Sequence, residues 1–229
     1  MTGEFQLRPA YAQDRAQISR MIRARAAWLR DHGHSRWRSW DRDAETLGEQ
    51  AAEADWPVFV LTRATTVVGC TTITEETPQL GWTETDRTES ALFLQSTVTH
   101  PALAGQGIGI LIAFAALNIA AERDIRWVRR GVLSDDQGAN LGLIHYYRAQ
   151  GWQVVRALRH PRRADIRVWS LQRPAELHDL PELTIHRTET GATFHPVTTD
   201  RFVERGVKRP VRPRTGPEPG DGERSTVWL

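Results

Sequence analysis

Hydrophobic and polar positions alternate over residues 4–8, with Phe5 and Leu7 on one face, and the run stops at Pro9. A period of two is that of a half-buried strand, and a proline closes it because it cannot donate to a ladder. From Tyr11 the period lengthens. Ile18, Met21, Ile22 and Leu29 fall at helical spacing with Arg15, Arg20, Arg23 and Arg30 largely on other faces, which predicts a helix ending before Gly33. A second helix is read over 44–54. Pro57 then precedes two strands, 58–63 and 67–74, joined by a tight polar turn. Residues 75–90 are polar, hold Pro78 and Gly81, and read as a loop. A strand at 91–99, a helix at 107–123, a strand at 126–133, a helix at 139–150 and strands at 152–159 and 165–172 complete the pattern. Residues 183–197 look like an added hairpin around Thr190 and Gly191. Beyond Asp200, four prolines among four glycines predict a flexible or draped tail.

Strands alternating with helices and hairpins indicate an α/β or α+β protein with a sheet of mixed direction. The body is assigned to 1–172, an extension packed on it to 173–199, and the tail to 200–229. The helix at 107–123 is apolar on nearly every side, and Ala113, Ala116 and Ala120 form a small-residue stripe. A helix without a polar face must be covered, either by the extension or by a second copy of the chain in a homodimer.

Composition narrows the setting. The 229 residues are 40% hydrophobic and 25% charged, ordinary for a folded domain with a core. The apolar run from Ile108 to Ala121 is too short to cross a bilayer, and Glu4 and Gln6 interrupt any apolar leader, so no membrane association is expected. A single cysteine, Cys70, excludes an internal disulfide framework and points to a cytoplasmic protein. The net charge of +2 gives no reason to expect nucleic acid. The segment 201–214, with six basic residues against one acidic, reads as a solvated tail. Lys208 is the only lysine, so the body holds no amine for a Schiff base.

The informative stretch runs from Thr97 to Ile110. A strand ends near Pro101, a turn carrying Gly105, Gly107 and Gly109 follows, and the apolar helix begins. Glycines there leave the backbone uncrowded, so several N–H groups can converge on one anion, backed by the positive end of the helix. A tight packing turn is the plain alternative. The dinucleotide-binding pattern of three glycines fails in both registers, because Ile110 or Ile112 stands at the third position, and no Gly-Lys-Ser/Thr phosphate loop is present.

The stretch resembles the pyrophosphate loop of the GNAT superfamily of acetyl-CoA-dependent N-acetyltransferases, which reads Arg/Gln-x-x-Gly-x-Gly/Ala. Gly107 and Gly109 match, and Ala104 replaces the usual first residue. A second block is similar to the family's: Asn140, then Tyr147, then the pair Gly151 and Trp152, with tryptophan for the usual phenylalanine. The resemblance covers about residues 4–172. It implies a mixed, mostly antiparallel central sheet of about six to seven strands with strands 4 and 5 splayed, flanked by about four helices.

The same resemblance implies acetyl transfer from acetyl-CoA, as co-substrate, to a primary amine of a small molecule or peptide. The attack would be direct and within a ternary complex, with no metal. A catalytically silent CoA-binding module is the alternative. Backbone groups of Thr97, Val98 and Thr99 would face the pantetheine, and Gln106, Gly107, Ile108, Gly109 and Ile110 would cradle the pyrophosphate. Asn140 would bond the pantetheine arm, unless it merely caps the next helix. Tyr147 would bind near the sulfur and protonate the departing thiolate, unless it merely packs. The family's glutamate base has no counterpart, since Gln95 and Ser96 stand there. A water-mediated base is expected from Glu89, Asp135, Asp136 or a histidine of the 31–40 loop. Trp28, His34 and Trp37, with Arg36 and Arg38, would line the acceptor side for an apolar or anionic amine, unless this is a lid whose tryptophans only pack.

Overall fold

The computed structural model describes residues 4–34, 36–53, 56–135, 138 and 140–186. The outer part of the expected hairpin, the tail from 200 onward and Asp136 lie outside the described residues. In chain order come β1 (Phe5–Pro9), α1 (Arg15–Asp31), α2 (Trp37–Gln50), β2 (Val58–Arg63), β3 (Thr66–Thr74) and α3 (Glu84–Thr88). Then follow β4 (Ala91–Thr99), α4 (Ile108–Glu122), β5 (Trp127–Asp135), α5 (Leu141–Ala149), β6 (Gln153–His160), β7 (Arg163–Pro174) and β8 (Leu183–Ile185). One eight-stranded sheet runs in the order β6-β7-β5-β4-β3-β2-β1-β8. Among the described strands only β4 with β5 and β1 with β8 are parallel; the other neighbours are antiparallel.

The turn from β1 into α1 is built on charge. Arg8 donates to both carboxylate oxygens of Asp14, at 2.7 and 2.9 Å, and Asp14 also accepts the Tyr11 N–H at 2.8 Å. Ile18, Met21, Ile22 and Ala26 then put one side of α1 into the core with Trp40 and Ala44 of α2. The second helix starts at Trp37, seven residues before the position its sequence suggested. Its buried stripe is Trp40, Ala44 and Gly48, spaced by four. Gly48 is required there, because a Cβ would lie 2.2 Å from the Ser19 hydroxyl of α1. Trp37 therefore belongs to a helix and not to the loop in which it was expected.

Helices α1 and α2 cover one face of the sheet, and α4 and α5 the other. Leu92, Leu94, Leu117, Ala116 and Val128, all essentially inaccessible, form the centre under α4. Each large aliphatic side chain so buried contributes roughly 1.5–3 kcal/mol. Ile108, Leu111, Ile112 and Ala115 of α4 meet Leu7 and Leu61 of the sheet together with Leu180, Leu183 and Ile185. Asn118 fixes that segment by donating to the His178 carbonyl at 3.0 Å and accepting the His178 N–H at 2.7 Å. The His178 ring stacks on Phe114 at 4.2 Å. The extension thus covers the apolar helix and ends as β8 on the edge of β1.

Residues 75–90 are not wholly a loop. Thr83 accepts the Asp86 N–H at 3.1 Å and Asp86 accepts the Thr83 N–H at 2.8 Å, a reciprocal cap that starts α3. Arg156 of β6 holds Asp86 at 2.9 Å. Arg129 of β5 is fully buried beneath, bonded to Thr77, the Asp86 carbonyl and Glu89, with its guanidinium over the Trp82 ring.

A chain ending at Arg173 loses the cover of α4. It should aggregate or self-associate, as read by light scattering, and a soluble monomer would count against the covering role. Burial alone would raise the Asp86 carboxyl, but the bonds from Arg156 and Thr83 outweigh it and hold the group at about 2. That stability is present above the ordinary value of 3.8 and fades as pH falls toward 2. Asp86→Asn should cost roughly 1–2 kcal/mol at neutral pH and flatten the acid limb of urea unfolding below pH ~4.

Candidate active site

The site begins where β4 and β5 part. They pair from Ala91 with Trp127 to Leu94 with Arg130, and no further. Just past that vertex, Ser96 adopts φ 47° and the β3–β4 register shifts by one residue. This bulge turns the last part of β4 away from β5. Beyond it Val98 pairs with Cys70 of β3 and is buried in the core. Strand alternation therefore turns Thr97 and Thr99 to the open side. The Thr97 hydroxyl meets that of Thr71 at 2.8 Å. The Thr99 carbonyl is already taken by the Arg25 guanidinium of α1, at 2.9 and 3.1 Å, so of its backbone pair only the N–H is left for a ligand.

Directly after β4 the chain makes its glycine turn. Gly105 and Gly107 adopt φ 81° and 74°, and a Cβ on either would meet nothing within 4 Å. The N–H groups of Gly105, Gly107, Ile108 and Gly109 have no partner among the described residues. The Gln106 N–H bonds back to the Leu103 carbonyl at 3.2 Å and that of Ile110 to the Gly107 carbonyl at 2.8 Å. Two of the five amides expected to grip a pyrophosphate are thus spent inside the turn, and Gly105 joins the remaining three. With no acidic residue in its first turn, α4 presents its positive end to this open space.

Asn140 precedes α5 with φ 67°, and its side chain makes no cap. Its Nδ2 donates instead to the Leu133 carbonyl at 2.8 Å, on the parted end of β5. Its Oδ1 remains available to accept. Tyr147 is only 5% exposed and packs with Trp152, Tyr146 and Ile144. The Arg130 guanidinium, itself buried and set at the vertex of the gap, lies 4.0 Å from the Tyr147 ring centre. Burial raises the Tyr147 hydroxyl above its ordinary value, and Arg130 partly offsets the rise. The neighbouring Tyr146, missed in the sequence, brings its hydroxyl to 3.4 Å from the point a Gly109 Cβ would occupy.

On the opposite face, the connection from α1 to α2 bridges the gap. Arg25 holds the β4 side and lies against the Trp28 ring at 5.3 Å. Trp28 stacks on His32 at 4.0 Å and on His34 at 5.9 Å, so the expected pair Trp28 and His34 is brought together. Arg36 reaches the β5 side, with Nη1 3.5 Å from the Leu133 carbonyl. Trp37 stands at the start of α2 with the Arg38 guanidinium over its ring.

Of the groups considered as base, Glu89 is at the wrong end. It precedes Ala91, at the closed end of the β4–β5 pair, and is ion-paired to Arg126 and Arg129. Asp135 ends β5 on the open side. Cys70 is buried, which pushes its thiol up to about 12 and leaves no thiolate nucleophile at neutral pH. Among the described residues no three His, Cys, Asp or Glu side chains are grouped to hold a metal ion, and no helix is long and apolar enough to cross a membrane.

No protein-family model matches the chain, and no curated protein matches it. Solved structures do. A GNAT-family acetyltransferase from Listeria monocytogenes is 18% identical, with 74% of this chain and 94% of that one covered at a TM-score of 0.54. An N-acetyltransferase from Staphylococcus aureus is 13% identical, with 75% and 99% covered at 0.52. The PaiA N-acetyltransferase from Thermoplasma acidophilum, in complex with coenzyme A, is 15% identical, with 74% and 98% covered at 0.51. By its splayed β4–β5 pair and by these likenesses, the chain has the fold of the GNAT acetyltransferases.

Proposed function

We propose that this protein transfers an acetyl group from acetyl-CoA to a primary amine of a small molecule or peptide. The observation that carries the reading is the set of four unpartnered amides, Gly105, Gly107, Ile108 and Gly109, at the mouth of a parted strand pair. They fit a diphosphate: each hydrogen bond to a charged group is worth roughly 1.5–3 kcal/mol, and the space a Cβ would fill at Gly105 and Gly107 is open. The Tyr146 hydroxyl flanks the same anion. The open sides of Thr97 and Thr99 receive the pantetheine as an added strand, and the Asn140 Oδ1 accepts one of its amides.

The amine enters beneath the α1–α2 bridge. It gives up a proton through water to Asp135 or His34, then attacks the thioester carbonyl. A strand N–H of β4 stabilises the developing oxyanion. The carbon–sulfur bond breaks, and Tyr147 donates its proton to the thiolate. A hydroxyl raised by burial is fully protonated at neutral pH, and Arg130 stabilises the phenolate that forms. The enclosure of Tyr147, with Gln95 and Ser96 where the family's base would stand, favours a second reading in which the chain binds CoA without turnover.

Calorimetry with CoA and thiol release across an amine panel test both. Gly107→Val should weaken CoA at least tenfold, because its side chain enters the anion space. Tyr147→Phe should lower kcat by ~10²–10³ with CoA affinity unchanged. Tyr146→Phe should weaken CoA a few-fold and spare kcat. No heat of CoA binding by folded protein overturns the proposal, and CoA binding with no thiol release on any amine selects the silent module.

A further inference from the structure

Arg36 carries a charge that no described carboxylate pairs within 4.0 Å, and Asp135 opposes it only from farther off. Its side chain is half-buried, while elsewhere among the described residues fourteen arginine and histidine contacts of that kind are formed, by Arg8, Arg129, Arg156 and others. Among the described residues its side chain makes one hydrogen bond, the long one to the Leu133 carbonyl, 3.5 Å, which Asn140 already satisfies at 2.8 Å. Burial pushes the guanidinium down to about 10, Arg163 acts the same way, and Asp135 only partly opposes them. Desolvating a cation without a partner costs stability, so a group that does so at the rim of a cleft is poised for a ligand.

The backbone adds to it. Arg36 is the N-cap of α2, a fourteen-residue helix whose first turn has no acidic side chain, and the Arg36 side chain makes no cap bond. Positive helix end and positive side chain therefore coincide. The place is the β5 side of the bridge over the gap, across from the α4 turn that takes the diphosphate. It lies on the opposite face of the sheet from the diphosphate turn, where the guanidinium meets the Leu133 carbonyl that Asn140 also binds.

Resting on the reading above, we infer that the acceptor amine carries an anionic group, a carboxylate or a phosphate, and that Arg36 holds it. The amine nitrogen then points to the gap while the anion stays at the start of α2. A planar guanidinium takes either group through two parallel N–H bonds. Arg36 is a specificity residue in this scheme and takes no part in proton transfer.

The test is a titration of the full chain, saturated with CoA, with three N-acetylated products of matched size. N-acetyl-β-alanine carries a carboxylate, N-acetyl-O-phosphoethanolamine a phosphate, and N-acetylethanolamine neither. At least one anion should bind tenfold or more tightly than the neutral compound, and the stronger arm identifies the group. Arg36→Gln should erase the preference and leave CoA affinity unchanged; Arg36→Lys should restore part of it. Equal or tighter binding of the neutral compound overturns the inference. So does a preference that survives Arg36→Gln, a loss of CoA binding in that variant, or no binding of any of the three. The CoA heat is read first in the same cell, and the titration is repeated without CoA, so failure of the CoA groove is seen apart from failure of the anion site.

Discussion

The parting of β4 and β5 is the constraint on which the rest of the molecule depends. A sheet opened in its middle exposes two backbone edges where strands would normally satisfy one another, and each buried group left unmatched costs roughly 1–3 kcal/mol. Here the debt is met by side chains from elements outside the sheet. Arg25 of α1 takes the Thr99 carbonyl, and Asn140, at the start of α5, takes that of Leu133. The gap is thus propped from both faces, and its width is a property of the helices as much as of the strands.

Arginine does most of this propping, and the near-absence of lysine becomes intelligible. At the closed end of the strand pair, Arg129 binds a hydroxyl, an amide oxygen, a main-chain carbonyl and a carboxylate at once while its flat face meets Trp82. At the vertex, Arg130 lies over Tyr147. A planar fork with several donors serves such sites, and a compact ammonium would not. The two residues are adjacent in β5 and point to opposite faces, so one steadies the segment between β3 and β4 and the other steadies the tyrosine.

Elements with a simple burial period were legible in the sequence: the alternation of β1, the stripe of α1, the apolar run of α4. The segment Glu84–Thr88 was not, because it buries no side chain and its only signature is the Thr83–Asp86 cap. The early start of α2 was hidden because residues 37–40 read as part of a tryptophan-rich loop, and the buried stripe of Trp40, Ala44 and Gly48 has meaning only against α1, where Gly48 meets Ser19. At the site, the glycine spacing announced the turn but not which amides the turn consumes, since Gln106 and Ile110 bond within it. Glu89 is close to the motifs in sequence and about 20 Å along β4 from the opening, at ~3.3 Å per residue. Tyr146 and Tyr147 are neighbours that helical geometry sends to different surroundings, which no count of residues along the chain distinguishes.

The path of the extension has a consequence of its own. It leaves β7, crosses the outer side of α4 and adds three residues in parallel to β1, at the far margin of the sheet. The first and last described strands are thereby hydrogen-bonded neighbours, and the strap between them passes over the helix that begins at the glycine turn. A contact of such long sequence separation carries a large loop-closure cost. The three-residue pairing of β8 with β1 is therefore the place at which the sheet's margin frays first, and fraying there takes the strap off the outer flank of α4.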